Sequence, residues 1–96
     1  MTDEFDPILK PYRAKIDSLD EKIVKLLVER EHVINEVAKI KFRENIPPVL
    51  PARVEEVREN AVAMAKNIGG DENYMREIYT KIIELSCEIE EKAKDE

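Results

Sequence analysis

Residues 12–43 read YRAKIDSLDEKIVKLLVEREHVINEVAKIKFR, a stretch with neither Pro nor Gly inside it. Counted at the 3.5-residue spacing of packed helices, its apolar positions are Ile16, Leu19, Ile23 and Leu26, then Val33, Val37 and Ile40. Arg30 stands where the same count asks for Leu or Ile, and Lys41 lies just beside the stripe, on the side marked by Leu27 and Ile34. Charges on a face that is to be buried need partners, and a bound anion is one way to supply them.

Outward from this stretch, prolines and glycines divide the chain. Asp6-Pro7 is a plausible helix start, although Pro11 would lack an N–H where the helix begins to need one, so the regular helix is expected to begin between Pro7 and Pro11. The expected element over 6–43 has a regular part of roughly thirty residues, or about 45 Å at 1.5 Å per residue, long enough to suggest packing against another chain. Pro47, Pro48 and Pro51 forbid its continuation and hold an extended connection. A second helix is expected over 51–68, with Val54, Val57, Ala61, Met64 and Ile68 as its stripe. Gly69-Gly70 stops it, and Asp71 caps a third over 71–94 with Met75, Ile78, Ile82, Leu85 and Ile89. The last residues, EEKAKDE, should fray. The expected fold is all-α, a single domain of one long and two shorter helices.

The whole composition agrees with amphipathic helices: of 96 residues, 43% are hydrophobic and 40% charged, with two Gly. So short a chain buries too little surface to be secure alone, which favours an oligomer. A net charge of −6 without a basic run argues against nucleic acid and anionic membranes as partners. No apolar run reaches a membrane span, and the opening MTDEFDPIL lacks the plan of a signal peptide, so a cytoplasmic setting is expected. Cys87 is the only cysteine and reads as a small core or interface residue. No metal-ligand cluster, phosphate loop or nucleophile–base pair occurs, so neither metal nor cofactor is expected.

Four cations remain to be weighed: Arg13, Arg30, Lys41 and Arg53. Arg30 and Lys41 return to nearly one helix face about 16 Å apart, and long side chains leaning together could grip a small dianion. Arg53, in the first turn of the second helix, would add a charge beside free backbone N–H groups. Arg13 lies about 25 Å from Arg30 and roughly a quarter turn off its face. It is either an ordinary surface residue or one that reaches into a partner's site across a symmetric dimer. The plain alternative for all four is a solvated helix face with snorkelling basic chains. On the third helix Ser86 and Glu90 are one turn apart, in line with Tyr79 and Ile83, on a face bordering the core. His32 points about 200° away from Arg30 and should be exposed.

These residues fall into an ordered set: Tyr12-Arg13-x-x-Ile16-Asp17-x-Leu19-Asp20, Leu26-Leu27-Val28-Glu29-Arg30, Val37-Ala38-Lys39-Ile40-Lys41, Pro51-x-Arg53 and Ile82-Ile83-Glu84-x-Ser86-x-x-x-Glu90. Their order and spacing resemble the all-helical chorismate mutase family over almost the whole chain. The resemblance implies an intertwined homodimer with two sites, in which Arg30, Lys41, Arg53, Ser86 and Glu90 come from one protomer and Arg13 from the other. It implies the rearrangement of chorismate to prephenate in aromatic amino-acid biosynthesis, on a dicarboxylate substrate and with no cofactor. Arg13 and Arg30 would hold carboxylates with help from Arg53 and Ser86, and Lys41 would donate to the ether oxygen. Many members carry Gln at the position of Glu90; a carboxylate cannot donate as that amide does, whereas a carboxylic acid can, so Glu90 is expected to work protonated. Members also commonly place an acid three residues before Arg53 and a Glu directly after it, where this chain has Leu50 and Val54. The segment Pro51–Val54 is similar to the isochorismate pyruvate lyase branch, and an aminodeoxychorismate mutase is a third member of the set. Chorismate mutase is the leading expectation, because the rest of the pattern is shared by all branches and the mutase is the more widespread activity; the alternative of a different class is a non-enzymatic helical dimerisation module with Arg30 paired to a carboxylate of its own structure.

Overall fold

A computed structural model describes residues 6–93. Expectations that concern Met1–Phe5 and the tail beyond residue 93, including the end of the third helix at 94, lie outside the described residues. The chain forms α1 (Asp6–Arg43), α2 (Pro51–Asn67) and α3 (Glu72–Glu91), with no strand among the described residues. None of these helices is long and apolar enough to cross a membrane. The described residues divide into two units, 6–32 and 33–93.

The first unit is a single helical stretch. Pro11 lies inside α1, so the helix forgoes one hydrogen bond early and continues without a break. Through residues 7–32 every side chain is exposed except Arg13 and Arg30, which are half-buried. Ile16, Leu19, Ile23 and Leu26, the stripe that decided the reading of this helix, are each more than half exposed; Leu26 reaches 62%. The Lys15 ammonium lies 5.8 Å from the centre of the Tyr12 ring.

The second unit joins the end of α1 to a hairpin of α2 and α3. The α1 terminus closes through Asn45, at φ 57°. Its N–H reaches the Phe42 carbonyl, and the Ile46 N–H donates to the Lys41 carbonyl at 2.8 Å. That paired closure places a left-handed residue just past the last turn, a conformation Asn tolerates better than most side chains. Gly69, at φ 82°, ends α2 in the same way, with the Gly70 N–H donating to the Ala65 carbonyl at 2.7 Å. Asp71 then caps α3 by accepting the Tyr74 N–H at 2.8 Å. Tight turn chemistry thus brings α3 back antiparallel to α2. Arg76 pairs with Glu59 across the hairpin, and Arg58 Nε donates to the Thr80 hydroxyl at 3.1 Å.

The buried set is small: Ala38, Ala61, Val62, Ala65, Ile83 and Ser86. Of the stripes expected for α2 and α3, Val54, Val57, Ala61, Met75, Ile82 and Ile89 are covered and the remaining positions are not. On α2 the covered positions are Val54, Val57, Arg58, Ala61, Val62 and Ala65, whereas Met64 is exposed and Ile68 is 86% exposed. On α3, Ile78 and Leu85 are exposed beside half-buried Met75, Tyr79 and Ile82. A helix turns once per 3.6 residues, so an intrachain contact follows a line that a strict 3.5-residue count gradually leaves.

Candidate active site

Lys41 and Glu90 are the two candidates that the structure brings together. On α1, half-buried Ile34 and Val37 and buried Ala38 share a face, and Lys41 is the next residue along it. On α3 the covered line Tyr79, Ile83, Ser86 leads to Glu90. The two lines converge, leaving Lys41 Nζ 2.6 Å from Glu90 Oε1, with side chains only 17% and 9% exposed. Sheltered from solvent, their attraction is stronger than that of a surface pair, though it must offset the cost of removing both groups from water.

The geometry of this pair is unequal. Glu90 Oε1 is buried and receives no directed hydrogen bond, so its closeness to Nζ is an ion pair by distance alone. The ammonium's aligned bond goes instead to the Pro48 carbonyl, 3.1 Å away. A cavity of about 420 Å³ opens beside them, lined by Lys41, Phe42, Pro48 and Glu90 among others. An ammonium has three N–H donors, so after one goes to Pro48 and one faces Glu90, a third is left for a ligand.

Ser86 is 8% exposed, and its hydroxyl donates to the Ile82 carbonyl one turn back at 2.9 Å. Arg53 is placed differently from the expectation. Its guanidinium is exposed and pairs with Glu56, and its own N–H is not free but donates to the Leu50 carbonyl at 3.0 Å. Leu50 lies at the helix start without a side-chain cap, and the first turn of α2 holds no acidic residue. Arg13 and Arg30 belong to the 6–32 unit, where they are the two half-buried positions. His32 is exposed.

Two partners escaped the sequence reading. Glu56 stands three residues from Arg53, a spacing that could have signalled the pair. The Pro48 carbonyl carried no signal, because a backbone acceptor is identified only by the path of the chain. Among the described residues no group of His, Cys, Asp and Glu could hold a metal ion.

The family model described as chorismate mutase type II matches residues 12–91. The chain is 33% identical over 89 residues to a bifunctional chorismate mutase/prephenate dehydratase of Aquifex aeolicus, covering 90% of this chain but 25% of that protein. It is 32% identical over 88 residues to a chorismate mutase of Methanocaldococcus jannaschii, covering 92% of this chain and 89% of the relative. It is 30% identical over 83 residues to a 4-amino-4-deoxychorismate mutase of Streptomyces venezuelae, covering 86% and 81%. No solved structure matches.

Proposed function

The chain belongs to the type II chorismate mutase family, and from that membership we infer that it is an isomerase converting chorismate to prephenate. The observation that carries this reading is the family match over residues 12–91, which takes in every candidate from Arg13 to Glu90. In the reaction the ether C–O bond breaks as a C–C bond forms within one molecule, so no nucleophile, metal or added reactant is required. The protein's task is to hold the substrate compactly and to stabilise charge building on the ether oxygen.

Lys41 is the donor to that oxygen. It is held in a sheltered place beside a cavity, with an N–H left for a ligand. Glu90 would add a second donor in its protonated form, which requires it to give up the pairing with Lys41 when substrate binds. Arg30 holds a substrate carboxylate, assisted by Arg53 and Ser86, and Arg13 holds the other from a second protomer. That dimer is part of the proposal. Its support is the exposed Leu19, Ile23 and Leu26 stripe, which a second α1 would cover. A cytoplasmic setting is proposed with it, consistent with an unpaired cysteine.

A second reading has its own support. Leu50 and Val54 put no carboxylate in the first turn of α2, and one relative is named a 4-amino-4-deoxychorismate mutase. Offering chorismate, 4-amino-4-deoxychorismate and isochorismate separately, and identifying the product of each, decides among them. Prephenate formed fastest is the expected result. Arg30→Ala and Lys41→Ala should each lower kcat/KM by about 10²-fold or more while preserving the helical circular dichroism. Glu90→Gln, whose amide donates without an added proton, should retain activity where Glu90→Ala loses it. Full turnover by Lys41→Ala would reject the site.

A further inference from the structure

The segment that follows α1 closes around Lys41 from both ends. The Ile46 N–H donates to the Lys41 backbone carbonyl at 2.8 Å, and two residues later the Pro48 carbonyl accepts from the Lys41 ammonium at 3.1 Å. Left-handed Asn45 turns the chain, and Pro47 and Pro48 hold it where φ is fixed by their rings. A short covalent arc is therefore tied to one residue at its backbone and at its side-chain tip. Glu90 Oε1 is the ammonium's charge partner at 2.6 Å without an aligned hydrogen bond, so the directed bond from Nζ is the one to Pro48.

We propose that the Pro47-Pro48 segment is the positioning element for Lys41: the Pro48 carbonyl fixes the direction of the ammonium, so that its remaining N–H meets the substrate's ether oxygen. The inference rests on the reading of Lys41 as that donor. A flexible four-carbon side chain loses rotamer freedom when it is held, and a donor aligned before the reaction needs no reorganisation during it. Rigidity in the connection is thereby converted into precision at Nζ. The contribution belongs to the transition state, where charge on the ether oxygen is greatest, so it appears in kcat rather than in KM.

The test compares Pro47→Gly/Pro48→Gly with the unaltered segment, in both the wild-type and the Lys41→Gln backgrounds. The glycine pair frees the segment and should lower kcat about tenfold with KM within about twofold. In the Lys41→Gln background the glycine pair should add no further loss, because the group it positions is gone. Unchanged kcat, a loss confined to KM, or an equal loss in the Lys41→Gln background overturns the inference. Should the glycine pair fail to fold by circular dichroism, an ester bond in place of the Pro48–Val49 amide weakens the carbonyl as an acceptor while keeping the prolines. It should lower kcat about threefold or more, and wild-type kcat in that variant overturns the inference equally. Wild-type protein inactive on all three substrates removes the functional reading as well; active wild type with indifferent variants removes the positioning inference alone.

Discussion

Cys87 follows Ser86 on α3 and is half-buried, so its thiol feels the same shelter as the site. Burial, first, and then the charges of Glu90 and Glu91 push it above its ordinary value, with Lys41 acting weakly in the other direction. A raised value means less thiolate at a given pH. Iodoacetamide at pH 7.5 should therefore label Cys87 several-fold more slowly in the folded protein than in urea, with the difference shrinking as the pH rises. Equal rates would contradict that shelter. At this scale the sequence exposed Arg30 and Lys41 through periodicity, since an Arg in an apolar stripe is conspicuous. It could place Glu90 on a face bordering the core, but not the meeting of Lys41 with Glu90, because nothing in a linear count brings the ends of α1 and α3 together. For Arg53 the position at the start of α2 was legible in the sequence, but not the pairing with Glu56.

The helices end by two versions of one device, and the difference between them is testable. Gly69 adopts φ 82° with open space about its missing Cβ, while Asn45 adopts φ 57° with a side chain present. Gly69→Ala should cost about 1–2 kcal/mol in urea unfolding through backbone strain alone, since no neighbour is struck. Asn45→Gly should be close to neutral by the same measurement. Helix stops were legible because Pro and Gly act locally, whatever the tertiary structure does. The covered faces of α2 and α3 were less so: Met64 and Ile68 read as core positions but lie outside, because the 3.5-residue count describes a seam between supercoiled helices rather than this short hairpin.

In the whole molecule, the exposed stripe of Leu19, Ile23 and Leu26 is the most consequential surface. With a second copy covering it, sedimentation should give a dimer, and Leu26→Glu should yield a monomer without activity. Sharing of sites makes a quantitative prediction. Arg13→Ala and Arg30→Ala chains, each inactive alone, should on equimolar mixing and refolding recover about one quarter of wild-type activity, since about half the dimers are mixed and each holds one intact site of two. No recovery would show that Arg13 serves no partner. The length of α1 is the sequence feature behind the proposal of such a partner, whereas any symmetry between two chains is not written in the periodicity of one.

No large side chain among the described residues reaches full burial. In the proposed dimer, a chain with so little apolar surface to gain by folding alone would acquire most of its stability at the moment of association. Refolding after dilution from urea should then accelerate with protein concentration, and the melting temperature should climb as the protein is concentrated. If the proposed dimer forms, newly made chains would face a waiting period in which α1, the helix to be covered, is the one most open to unwanted company.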